Sequence, residues 1–166
     1  MTRIIPSLAA ISDQYEALFV DLWGCVHNGI AALPQAVAAL QSYRARGGTV
    51  VLVTNSPKPR IGVEAQLKHF GVPDDAWDSI ATSGDSARAA MFQGVVGKRI
   101  YFIGLPHDLP FFDPMQVVSD PVAIARGSLA PAEGIVCTGP CDGAVHPTVL
   151  FPDLRFGQQK ALKLLC

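Results

Sequence analysis

The strongest constraint on this chain is a spacing. Two apolar runs of strand-forming residues, ALFV at 17–20 and TVVLVT at 49–54, flank a segment that reads as one helix. The first run stops at an acid, Asp21, inside the stretch LFVDLWGCVHNG (18–29). The second stops at Thr54, followed by Asn55 and Ser56. Between them, LPQAVAALQSYRARGG puts Pro34 at a first helical position, repeats Val37, Leu40 and Tyr43 on one face, and ends at Gly47-Gly48. Asp21 and Thr54 are 33 positions apart, the length of one strand–helix–strand unit. Such a crossover is right-handed and leaves its strands parallel. Their carboxyl ends then share the sheet edge at which open α/β folds bind ligands. Periodicity alone therefore predicts that Asp21 and Thr54 stand side by side.

The unbroken β-branched run at 49–54 predicts a strand covered on both faces. PRIGVEAQLKHFG predicts a second helix, with Val63, Leu67 and Phe70 on one face and Gly71 as its stop. SGDSARAAMFQG predicts a third, entered from Ser83 and left at Gly94. Further on, KRIYFIG (98–104), MQVVSD (115–120) and GIVCTG (134–139) read as strands, LPHDLPFFDP as proline-rich loop, and DLRFGQQKALKLLC (153–166) as a helix. Strands alternating with helices argue an α/β architecture built on a parallel sheet. Turn residues in GVPDDAWDSIAT (71–82) mark the boundary between two parts of the chain.

Composition removes several function classes. The formal net charge is −1, so no basic field points to nucleic acid or an anionic membrane. Nothing approaches the roughly 18 apolar residues of a membrane span. The start, MTRIIPSLAAIS, imitates a signal peptide only faintly, because Pro6 interrupts it and its cationic region is one Arg. Cys25, Cys137, Cys141 and Cys166 fit neither a disulfide framework nor a zinc spacing. Reduced cytosolic thiols account for them better than a site of Cys137, Cys141 and His146. The expectation is a cytoplasmic protein with no nucleic-acid or membrane partner, and a homo-oligomer is left open.

A carboxylate at a strand end, beside a hydroxyl and the amides of Thr54-Asn55-Ser56, suits phosphoryl chemistry. The carboxylate can attack phosphorus and form an aspartyl-phosphate. The hydroxyl and the N–H groups ahead of a helix can hold the non-bridging oxygens. A hard cation such as magnesium would be needed to bring the two anions together. A loop cap at Asp21 and a turn at Thr54 would account for the same residues.

FVDLWGCVHNG followed by VVLVTNSPKPR resembles the haloacid dehalogenase-like (HAD) superfamily of hydrolases, most nearly its class IIA subgroup, whose cap domain is inserted between the second and third motifs. IATSGDSARAAM (80–91) resembles the segment leading into that cap, GKRIYFIG and GIVCTG its strands, and ALKLLC its last helix. The resemblance implies an α/β fold: a partial Rossmann-like parallel sheet core over 1–79 and an inserted α/β cap domain over 80–166, with the core not resumed. It implies Asp21 as catalytic nucleophile and magnesium ligand, and the main-chain carbonyl of Trp23 as a second ligand. It also implies Thr54 and Asn55 as the phosphate-binding residues, Mg2+ as cofactor, and a small phosphorylated metabolite as substrate.

The superfamily's phosphatases carry a second Asp at the position of Trp23, which protonates the leaving oxygen, and such help is worth typically ~10²–10⁴-fold. Trp23 cannot transfer that proton, and roofing the pocket or packing under the cap is its expected role. A branch of the class IIA-like proteins reads Asp-Leu-Trp-Gly as here. His27 is a candidate proton source by its pKa, and a surface imidazole is the plainer account. Lys58 and Arg60 read as a solvated helix end, Asp85 and Arg88 as a surface pair. His107, His146 and Trp77 give no signal. The third-motif Lys and fourth-motif acids have no counterpart, since Asp142 in PCDGAVHP and Asp153 read as loop acids. The chain therefore reads as the amino-terminal portion of a longer enzyme, with an exposed apolar sheet edge, poor magnesium binding and weak or absent turnover. The alternative is a non-catalytic phosphate-binding α/β protein. A nucleotide-binding domain is disfavoured, because no Gly-rich loop follows either strand.

Overall fold

The computed structural model describes residues 4–139 and 163–165, in two compact units, Met1–Ser83 and Gly84–Cys166. In the first, β1 (Ala17–Asp21), β2 (Thr49–Thr54) and β3 (Ser79–Thr82) form a parallel sheet in the order β1-β2-β3. Helix α1 (Pro34–Ala45) crosses from β1 to β2, and α2 (Arg60–Phe70) leads from β2 towards β3. Pro34 opens α1, and the chain turns at Gly47 with φ +89°. The next glycine, Gly48, has no room for a Cβ, which would stand 2.3 Å from the Tyr43 ring. Gly71, at φ +82°, closes α2 with its N–H on the Leu67 and Lys68 carbonyls.

Val37, Leu40 and Tyr43 of α1 and Val63 and Leu67 of α2 bury themselves against Val50, Leu52 and Ile80. Two successive right-handed crossovers that advance in one direction put both helices on one face. The other face is left open: Phe19 is 78% and Val53 39% exposed. Among the described residues, helices cover one of the two faces expected to be covered. The strand β3 is an element the sequence did not announce, at the end of the segment read as a boundary for its turn residues. Its Ile80 is buried, but four residues give period-2 alternation too little length to stand out from GVPDDAW before it. Ser79–Thr82 pairs with Val51–Thr54, so the first unit extends to Ser83.

In the second unit α3 (Ser83–Phe92) buries Met91 and Phe92, and a parallel sheet runs in the order β5-β4-β6-β7. Its strands are β4 (Arg99–Ile103), β5 (Ala125–Arg126), β6 (Gly134–Cys137) and β7 (Lys163–Leu165). Three expectations change. Pro106–Phe112 is a 3-10 helix rather than loop, opened by Asp108, whose carboxylate accepts the Leu105 N–H. Residues 115–120 turn instead of extending, because Val118 N–H bonds Met115 and Asp120 sits at φ +51° just before Pro121. Residues 163–165 form a strand on β6 rather than the end of a helix, so pairing overrides the helical preference of Leu and Lys. The rest of 153–166 lies outside the described residues, as do Cys141, Asp142 and His146.

Arg88 is a further correction. It does pair with Asp85 at 3.1 Å, yet it is buried, and its guanidinium donates to the Phe111 and Asp113 carbonyls at 2.9 and 2.6 Å. A guanidinium that satisfies two turn carbonyls and a carboxylate is a structural clamp, not a surface pair. Among the described residues no helix is long and apolar enough to cross a membrane.

The start of β2 is held by one carboxylate. Asp78 accepts the Val50 N–H at 2.7 Å and an Arg44 N–H at 2.6 Å, and its own N–H bonds the Val50 carbonyl. The Arg44 bond, then that from Val50, holds its pKa below the usual carboxylate value. A lowered folded-state pKa gives stability that is present above the unfolded value and fades as pH falls through the folded one. Asp78→Ala should therefore lower the denaturant midpoint at neutral pH, and the difference from the unmodified chain should shrink below pH 3.8. A difference that does not change with pH would contradict the ionic origin.

Candidate active site

Parallel pairing of β1 and β2, from Ala17 with Thr49 to Asp21 with Val53, brings Asp21 and Thr54 to the same sheet edge. Thr54 lies one residue beyond Asp21's partner. Strand alternation puts it on the helix-covered side with Val50 and Leu52, and puts Asp21 on the open side with Phe19. A cavity of about 270 Å³ opens here, lined by Trp23 and His27 from one loop, Thr54, Asn55 and Ser56 from the other, and Gln66 of α2. Asp21 is exposed and stands outside that lining, its Oδ1 accepting the Leu22 N–H at 2.8 Å.

The loop after β1 is wound around one carbonyl. Leu22 C=O accepts the N–H groups of Cys25, Val26 and His27, and Gly24, at φ +76°, returns its N–H to the His27 carbonyl at 2.8 Å. Leu22 and Val26 anchor the winding in the core. The loop is tied to the end of α2 where the Phe70 carbonyl accepts the Ala32 N–H, and the His27 ring rests on the Phe70 ring at 4.7 Å. Trp23 lies edge-on to His27 at 5.9 Å and remains 68% exposed. Its ring covers Gly29, where a Cβ would come within 2.3 Å of the indole. The tryptophan therefore borders the cavity from the solvent side, packed on backbone only a glycine can supply.

His27 is not the surface residue of the plainer account: it is 4% exposed. Burial pushes its imidazole below the usual value of 6.5, and the Asp21 carboxylate acts in the opposite direction. That coupling makes Asp21 an electrostatic neighbour of the cavity it does not line. At the other loop, Thr54 Oγ1 accepts the Ser56 N–H at 3.2 Å, and Ser56 Oγ accepts the Lys58 N–H at the same distance. These side-chain turns hold the strand-to-helix connection open ahead of α2. Arg60 pairs with Glu64 at 2.6 Å and is a solvated helix end, as expected; Lys58 is exposed.

Among the described residues no three His, Cys, Asp or Glu side chains gather as a metal cage. The hard oxygen donors at this edge are the Asp21 carboxylate and the Trp23 carbonyl, which accepts no amide N–H among the described residues. Magnesium takes one or two carboxylates and keeps several waters, so the pair fits part of its shell. Gln66 was not singled out from sequence. Gln66 follows Val63 by three positions on α2, a spacing that could have pointed to it.

The sequence profile described as haloacid dehalogenase-like hydrolase matches residues 18–116. A hydrolase of the haloacid dehalogenase-like family from Brucella suis 1330 is 38% identical, with a TM-score of 0.83, over 97% of this chain and 59% of its own. The glycerol phosphate phosphatase of Mycobacterium tuberculosis, solved with magnesium, is 21% identical over 78% of this chain and 38% of its own, with a TM-score of 0.57. A 4-nitrophenylphosphatase from Thermotoga maritima is 22% identical over 76% and 46%, with a TM-score of 0.56. The last two likenesses are of fold. The chain spans 59% of the length of the Brucella protein. No curated protein matches it.

Two outcomes follow from this geometry. In a magnetic resonance titration His27 should have a midpoint below 6.5, and Asp21→Asn should move it further down by removing the neighbouring negative charge. A midpoint indifferent to Asp21→Asn would mean that the two groups are not neighbours. Gly29→Ala should cost about 1–3 kcal/mol of unfolding free energy and shift the indole emission, since the added methyl must displace Trp23.

Proposed function

The chain belongs to the haloacid dehalogenase-like hydrolases, and from that premise we propose that it carries the nucleophile-bearing part of a magnesium-dependent, class IIA-type phosphatase acting on a small phosphorylated metabolite in the cytoplasm. The unit that holds β3, up to Ser83, is then the first part of the Rossmann-like core, which moves the expected boundary at 79/80 four residues on, and the segment from Gly84 is a cap inserted into it. The observation that carries this reading is the shared edge of β1 and β2: one strand ends in Asp21, the next in Thr54, and a cavity opens between their loops.

In the proposed reaction an Asp21 carboxylate oxygen attacks phosphorus, the ester P–O bond breaks, and the leaving oxygen takes a proton from water and departs as the alcohol. Water then hydrolyses the aspartyl-phosphate and releases phosphate. The Thr54 hydroxyl and the Asn55 amide steady the phosphoryl oxygens. The Asp21 carboxylate and the Trp23 carbonyl would hold magnesium, which supplies charge neutralisation between the two anions. Trp23 offers the leaving group no proton, and none of the 166 residues answers to the third- and fourth-motif Lys and acids. Turnover by these residues alone is accordingly expected to be weak or absent.

A second reading, a phosphate-binding protein without turnover, is favoured by one observation: the position of the general acid is held by an exposed tryptophan. Beryllium fluoride with magnesium separates the two. Fluorine resonance should report an adduct on Asp21 that Asp21→Asn abolishes. Phosphate binding with no adduct would favour the second reading, and neither binding nor adduct would overturn both. Release of 4-nitrophenol from 4-nitrophenyl phosphate is expected to stay near background in either case.

A further inference from the structure

The loop after β1 orients an imidazole that the steps above do not use. Its main chain is held by the turn, since the His27 N–H bonds Leu22 and its carbonyl accepts from Gly24. The ring packs at a 50° tilt against Phe70 and stands nearly perpendicular to the Trp23 ring. Gly29 N–H donates to Nδ1 at 3.1 Å. A nitrogen that accepts a hydrogen bond carries its lone pair there, so in the neutral ring the proton sits on Nε2.

The fate of Nε2 follows by elimination. Among the described residues the buried side-chain nitrogen or oxygen left without a partner is the Trp77 indole nitrogen, not Nε2. Nε2 has no protein acceptor among the described residues either, so it meets open space. His27 lines the cavity with Thr54 and Asn55. A buried ring, pinned at one nitrogen and open at the other, is a directed donor.

Building on the phosphoryl-binding reading above, we propose that His27 presents Nε2–H to the cavity as a hydrogen-bond donor to a phosphoryl oxygen, opposite the Thr54 hydroxyl. It does not replace the missing acid. The ring gives up no proton, and its contribution is to hold and orient the anion. The role needs a histidine held in one tautomer, which is what the Gly29 amide imposes.

Nitrogen-15 resonance of the chain, titrated with inorganic phosphate, tests this directly. The proton should be found on Nε2, and that nitrogen should shift as phosphate binds. His27→Asn keeps an acceptor for Gly29 but is too short to reach the cavity, and should weaken phosphate binding about tenfold. His27→Gln, whose amide reaches the Nε2 position, should restore most of the loss; thermal melting checks that both variants fold. A proton on Nδ1 overturns the proposal without any variant. Unchanged affinity in His27→Asn, with Thr54→Val weakened, overturns the role of His27 and leaves the phosphoryl site standing. No phosphate binding by the unmodified chain overturns both.

Discussion

Everything at this site depends on the parallel backbone pairing of two strands. Five consecutive register pairs, from Ala17 with Thr49 to Asp21 with Val53, align β1 and β2 so that both loops leave the sheet at one edge. A slip of one residue would turn Leu18 and Val20 away from the helices and send Phe19 and Asp21 towards them. Burial resists that slip, because the helix-covered face holds Val50, Leu52 and Ile80 while the other face is open. Hydrophobic packing on one side of the sheet thus sets the level at which the functional groups emerge.

Past the edge, control passes from packing to hydrogen bonds. The Leu22 carbonyl gathers three N–H groups and Gly24 closes the turn, which fixes residues 22–27 without regular secondary structure. The winding has two consequences for the cavity. It buries His27 against Phe70, and it leaves Trp23 on the solvent side over a glycine with no Cβ. Two glycines in left-handed conformation and one multiply used carbonyl give the loop its shape.

Much of this was legible in the sequence. Helices with a three-and-four periodicity and a glycine stop appeared where Val37, Leu40 and Tyr43, or Val63 and Leu67, announced them, because one-sided burial repeats with the helical turn. Short elements were not legible. Ser79–Thr82 and Ala125–Arg126 are too brief to develop a period, and Lys163–Leu165 carries helix-favouring residues that an adjacent strand recruits into a sheet. Arg88 looked like half of a surface pair because helical spacing reveals Asp85 but not the Phe111 and Asp113 carbonyls, which lie more than 20 residues away.

The sequence by itself determined the α/β class, the parallel neighbours β1 and β2, and the presence of Asp21 and Thr54 at a common edge. Each follows from local periodicity and the fixed hand of the crossover. Only the tertiary structure decided that Asp21 stands beside the cavity rather than in its lining, that one sheet face is uncovered, and that His27 is buried with one nitrogen bound and the other open. Those facts rest on contacts between residues far apart in the chain, such as His27 with Phe70, and no local pattern of residue types encodes such a meeting.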